Sequence, residues 1–234
     1  MRRPAALFPI VLALGAMILA PLAGAREEGP REIEKCQTID KPGSYKLVNN
    51  LTFKGGSIES ACLTITTSSV TIDLAGFTIS GPARGIGIAS NNQGLHGIAV
   101  RNGSISGITI GVSLFIIDAI VEGLRIDGDN APAVNIEGEG ILANGIVKGN
   151  IVTSMFRGMD VTGLVTGNFA ILNSGNGISV GAGSNVMGNI ARNSQIGLFV
   201  NCPSNVTNNT AVFNSTVNLE LNGDGCNNTN NAAP

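Results

Sequence analysis

Between Val147 and Asn214 the apolar positions fall in short alternating runs, and the runs recur. The phrase Val147-Lys-Gly-Asn150 returns as Val165-Thr-Gly-Asn168, Val186-Met-Gly-Asn189 and Val206-Thr-Asn-Asn209, with lead valines 18, 21 and 20 residues apart. A second phrase keeps a steady offset from it: Gly158-Met-Asp-Val161, Gly177-Ile-Ser-Val180 and Gly197-Leu-Phe-Val200. Alternation of this kind is the two-residue period of a half-buried strand. Ile178 and Val180 are predicted to face one way and Ser179 the other, with Leu198 and Val200 placed likewise around Phe199. A unit of about 20 residues cannot bury its own apolar face, so successive units must stack. The spacing is too short for two-helix repeats, and the leucine pattern of leucine-rich repeats is absent. The prediction is an all-β parallel solenoid.

The asparagines fall in register with this repeat. Asn150, Asn168, Asn189 and Asn209 share one position, and Asn173, Asn193 and Asn214 are read as sharing another. Asparagine tolerates left-handed turn conformations, and its amide can bond to an identical amide on the coil above and below. A bend repeated once per coil uses both properties.

Upstream the pattern is looser. Lys41-Pro-Gly-Ser-Tyr45 reads as a turn leading into a strand through Leu51 and Phe53. In Val70-Thr-Ile-Asp-Leu74, Val70, Ile72 and Leu74 share a face. Residues 81–94 break the period and are predicted to loop off the solenoid. Ile98-Ala-Val100 resumes it, and the 26 residues from Val121 to Val147 imply an excursion within 127–140.

Thirty-two glycines and no tryptophan suit a chain of many turns, and 43% hydrophobic residues argue for an ordered core. A net charge of −2 gives no electrostatic case for nucleic acid or an anionic membrane surface. Residues 1–25 read as a signal peptide: Arg2 and Arg3, an apolar run from Leu7 to Leu22, then Ala23-Gly24-Ala25. No later stretch is long and apolar enough to span a membrane, so a secreted or periplasmic location is expected. Residues 26–35 carry seven charges in ten positions and read as a polar cap or a disordered segment. The solenoid is placed at 36–226, with a polar tail at 227–234 that frays. Cys36 and Cys62 lie at one end of the domain, Cys202 and Cys226 at the other. Bonding within each pair would staple the two coils that lack a neighbour, and an oxidising location favours it.

Two upstream phrases carry a resemblance. Cys36-Gln-Thr-Ile39, Pro42-Gly-Ser-Tyr45 and Asn50-Leu-Thr52 precede Val70-Thr-Ile-Asp-Leu-Ala-Gly-Phe-Thr-Ile-Ser-Gly81. Together they resemble the first coils of secreted right-handed parallel β-helix repeat proteins, the pectate-lyase-like superfamily. The resemblance implies a right-handed parallel β-helix of about seven or eight coils. It does not choose an activity, since one scaffold carries lyases, hydrolases, epimerases and adhesins.

It does direct the search for chemistry. Hydrolases on this scaffold use clustered aspartates, but there is no Asp-Asp here, and the one histidine, His96, reads as a strand-edge structural residue. Lyases use a cation, usually calcium, with an Arg or Lys base. Asp127 and Asp129 with Glu137 and Glu139 form the densest carboxylate patch, and calcium takes such hard oxygen ligands; the plainer account is a solvated acidic loop. Arg101, Glu122 and Lys148 each follow a lead valine and should project outward on successive coils. They read as a ladder of opposite charges or as a polar floor for an extended glycan. The functional expectation is a non-catalytic binding or structural role, with extracellular polysaccharide as the ligand class. A polysaccharide lyase or epimerase acting on uronate-containing glycans is the alternative.

Overall fold

The computed structural model describes residues 29–90, 92–128 and 138–234, with the backbone alone at 82 and 83. Signal-peptide residues 1–25 lie outside that range. Among the described residues, twenty strands form one continuous parallel sheet that wraps into a three-sided solenoid. From β3 onward the chain visits sides A, B and C in that order on each turn.

Side A begins with β1 (Arg31–Ile33), then after β2 (Gln37–Ile39) on side C come β3 (Gly43–Leu47) and, past β4 (Leu51–Thr52) and β5 (Ala61–Ile65), β6 (Val70–Asp73). The long strand β7 (Thr78–Ser90) turns from side B onto side C. The longer β8 (Ile98–Asp127) makes more than a full turn, crossing side A at 98–101 and again at 119–122. Side A continues through β9 (Glu139–Lys148) and, beyond β10 (Ile151–Thr153), through β11 (Arg157–Thr166). Four short strands follow: β12 (Phe169–Ile171), β13 (Asn176–Val180), β14 (Asn185–Met187) and β15 (Ile190–Arg192). The stack ends with β16 (Ile196–Asn201), β17 (Asn205–Thr207), β18 (Thr210–Val212), β19 (Val217–Asn222) and β20 (Asn227–Thr229). β14, β17 and β20 complete side A. The seven or eight expected coils are the rungs between, and β1 and β20 add one short rung at each end.

The lead valines stack inward as predicted. Val147 pairs with Val165, Val165 with Val186 and Val186 with Val206, all fully buried. Side B runs from Leu51 and Ile79 to Ala170, Ala191 and Ala211, while side C keeps Ile141, Met159, Ile178 and Leu198. Large residues on one side meet small ones on another, the complementary pattern that close packing of an interior requires.

The asparagine ladder is the internal polar element. Asn150, Asn168 and Asn189 are wholly buried and Asn209 is 2% exposed. Each donates one amide hydrogen to the next side-chain carbonyl, at 3.0 Å from Asn150 to Asn168, Asn168 to Asn189 and Asn189 to Asn209, and 2.9 Å from Asn209 to Asn231. The other hydrogen reaches a valine carbonyl one coil back. With donors and acceptor both engaged, burial carries little penalty.

The second asparagine register was one residue out. Met155 N donates to Asn173 Oδ1, and Ser194 N to Asn214 Oδ1, so Ser194, not Asn193, is the equivalent of Asn173 and Asn214. Asn193 sits one place earlier at a left-handed corner (φ 53°) shared with Ser154, Leu172 and Phe213. The predicted 81–94 loop is also corrected. Residues up to Ser90 are strand, with two register shifts between Ser80 and Ile86 that disguise the period. The polar tail contributes a rung of its own: β20 pairs with β17, Asn231 extends the ladder, and Thr210 bridges Ala232. Of the charged leader segment, Arg31–Ile33 forms the first rung and Ile33 is fully buried. Both disulfides form within their pairs, Cys36 to Cys62 and Cys202 to Cys226, with no free cysteine among the described residues. Such bonds persist in oxidising compartments.

Candidate functional site: a groove on side A

Outward positions on side A form two parallel rows. The first runs Thr71, Ala99, Ile120, Ile146, Leu164, Asn185, Asn205 and Asn227. The second holds the charges. Glu32 pairs with Lys46, Lys46 with Asp73 and Asp73 with Arg101. Gly97 N–H donates to both Asp118 oxygens at 2.9 Å, and Gly123 abuts Asn102. Those contacts put 119–122 directly above 98–101, so Glu122 follows Arg101, and Lys148 then pairs with Glu122. The sequence therefore showed half of a longer row: Glu32, Lys46, Asp73, Arg101, Glu122, Lys148, alternating in sign throughout.

Two contacts in it are close, Arg101 Nε to Asp73 at 3.4 Å and Lys148 Nζ to Glu122 at 3.3 Å. All four side chains are part-exposed, so each pair contributes a few tenths of a kcal/mol. Three cations face three anions, which leaves the row neutral. Beyond Lys148 come Thr166, Met187, Thr207 and Thr229.

Between the first row and a projecting corner lies a groove of about 560 Å³. Ala99, Ile120, Ile146 and Leu164 make its floor, and Ile117 with Asp118 its wall. The wall exists because β8 bulges there: pairing with β9 is interrupted between Leu114 and Ala119. The detour leaves Ile117 88% exposed, and Ile146 on the floor is 38% exposed. The five rungs from Thr71 to Leu164 span about 19 Å at ~4.8 Å per rung. Exposed aliphatic side chains gathered along one groove mark an interaction site more often than scattered ones do.

A further charged cluster among the described residues is on side C. Arg157 Nη1 reaches Glu139 Oε1 at 2.7 Å and Asp160 Oδ2 at 3.1 Å. The guanidinium is thus held between two carboxylates, one on its own strand and one on the preceding rung. Glu139 lies on side C and Asp127 on side B, while Asp129 and Glu137, the other two expected calcium ligands, lie outside the described residues. No three His, Cys, Asp or Glu side chains converge among the described residues. His96 is exposed, and its carbonyl accepts from Ser69 N at 2.8 Å, a corner role.

Comparison with protein-family models, curated proteins and solved structures finds no match. The site is defined by this chain's own geometry. Among the described residues no helix is long and apolar enough to cross a membrane.

Sequence reasoning missed the groove, because its floor residues stand next to the lead valines and draw no notice one at a time. Only stacking in register brings Ala99, Ile120, Ile146 and Leu164 into a strip. Arg157 and Asp160 were missed for the same reason.

Proposed function

We propose that this is an exported, non-catalytic binding protein of the pectate-lyase-like β-helix type, and that the side A groove holds its ligand. The observation that carries this reading is the aliphatic floor Ala99, Ile120, Ile146, Leu164 beside the exposed Ile117. The opening phrases Cys36-Gln-Thr-Ile39 and Val70-Thr-Ile-Asp-Leu74 support the family, and the apolar segment at 7–22 and the two disulfides support export.

The polysaccharide expected from the resemblance is a second reading, placed further along the same side. Asn205 Nδ2 donates to Asn185 Oδ1 at 3.2 Å and Asn227 Nδ2 to Asn205 Oδ1 at 2.9 Å. With Thr166, Thr207 and Thr229 alongside, this carpet of uncharged hydrogen-bonding groups suits a neutral glycan. The neutral charge row gives a uronate polymer no net attraction.

Titration with the neutral fluorophore N-phenyl-1-naphthylamine tests the groove. Saturable binding to the wild-type protein, lost in Ile146→Asn with an unchanged melting curve, is the expected result. Absence of saturable binding, or equal binding by both proteins, contradicts the reading.

A further inference from the structure

The charge row stops one rung short of the groove's end. From Glu32 to Lys148 every charge has an opposite charge on each neighbouring rung, except at the two termini. Lys148, the upper terminus, has Glu122 below it at 3.3 Å and the uncharged Thr166 above it. Its side chain is 57% exposed. The alternation calls for an anion at the Thr166 rung, and the chain supplies none there.

Leu164, the last aliphatic residue of the groove floor, lies two positions before Thr166 on the same rung. An anionic group placed over Thr166 therefore sits at the mouth of an apolar channel that runs back over Ile146 and Ile120 to Ala99. The polar groups along the walls are already engaged: Asp118 with Gly97 N–H, and Glu122 with Lys148. An apolar chain asks nothing of them. A chain rich in hydroxyls or amides would exchange water for unpaired contacts, which costs free energy.

We propose that the groove binds a single-chain anionic amphiphile, its carboxylate beside Lys148 and Thr166 and its aliphatic tail along Leu164, Ile146, Ile120 and Ala99. This rests on the groove being a binding site. It adds the polarity, the direction and the charge of the ligand. Burial of methylene groups supplies most of the affinity, and the carboxylate completes the row with a seventh alternating charge. No bond is made or broken.

The test is displacement of N-phenyl-1-naphthylamine by dodecanoate, 1-dodecanol and dodecyltrimethylammonium. Dodecanoate should displace the dye at the lowest concentration and the cationic amphiphile at the highest. Lys148→Ala should weaken dodecanoate by about fivefold, as for a part-exposed ion pair, and leave dodecanol unchanged. Thr166→Asp places a carboxylate where the ligand's would go, so it should abolish the preference for dodecanoate over dodecanol while dodecanol still binds. High salt should narrow the wild-type preference. If the dye binds and Ile146→Asn abolishes that binding, but the three amphiphiles compete equally, the amphiphile proposal falls and the groove reading stands. If the dye does not bind, both fall. Equal weakening of dodecanoate and dodecanol in Lys148→Ala would assign Lys148 a structural role and likewise overturn the proposal.

Discussion

Asn168 donates one amide hydrogen to Asn189 Oδ1 at 3.0 Å and the other to the Val147 carbonyl at 2.8 Å. Its own Oδ1 accepts from both the backbone and the side chain of Asn150, each at 3.0 Å. One buried amide thus ties three coils together. Asn168→Ala leaves several of these groups unpaired in the interior, at about 1–3 kcal/mol for each one. Chemical denaturation should show a loss of at least about 3 kcal/mol. Asn185→Ala, which removes one part-exposed bond, should cost less than about 1 kcal/mol.

Inward and outward positions should respond differently to charge. Val186 and Ile178 are fully buried, so Val186→Asp or Ile178→Asp forces an unpaired carboxylate between coils and should prevent folding. Thr166 faces out beside Lys148, and Thr166→Asp should fold and melt no lower than wild type. Equal damage at the two kinds of site, read by thermal melting, would contradict the register.

The C-terminal staple is expected to matter more than its polar surroundings suggest. Cys202 and Cys226, 24 residues apart, hold the last full coil, where Leu219 and Leu221 have no further rung to cover them. Replacing both cysteines by serine should cost about 3 kcal/mol in the chain-entropy account of cross-links. Hydrogen exchange should quicken first in β19 and β20.

Phe213 occupies a left-handed corner (φ 58°) while 80% exposed, and Leu172 does the same (φ 58°) at 58%. The coil between them places Asn193 there. A bulky residue in this conformation costs about 1–2 kcal/mol, and the exposed ring recovers little by burial. Phe213→Asn should therefore raise stability by about 1 kcal/mol. An unchanged or lower unfolding midpoint would mean that the ring makes contacts outweighing the strain.

What the sequence made legible was whatever repeats with a fixed phase. Lead valines, glycines and the first asparagine row recur at one offset, so their strand register and burial followed directly. Errors arose where phase slips by a residue, as at Asn193 and Ser194, or where bulges stretch a strand, as at 80–86. The terminal rungs were missed because edge strands carry charge and polarity in place of apolar alternation, as Arg31, Glu32 and Asn227 to Thr229 show. Half of the charge row was found for one reason: Arg101, Glu122 and Lys148 follow valines, whereas Asp73 follows Ile72 and Lys46 follows Tyr45. The groove depends on contacts between rungs 18 to 28 residues apart and on a bulge at 114–119, neither of which leaves a local signature.

The most direct measurement follows the isoleucine δ1 methyl groups by NMR during titration with N-phenyl-1-naphthylamine. Side B carries outward isoleucines of its own, Ile151, Ile171 and Ile190, and these serve as an internal control for non-specific adsorption. The side A account predicts saturable shifts at Ile117, Ile120 and Ile146, with Ile151, Ile171 and Ile190 unmoved. Shifts confined to the side B isoleucines, or no saturable shift anywhere, would contradict it.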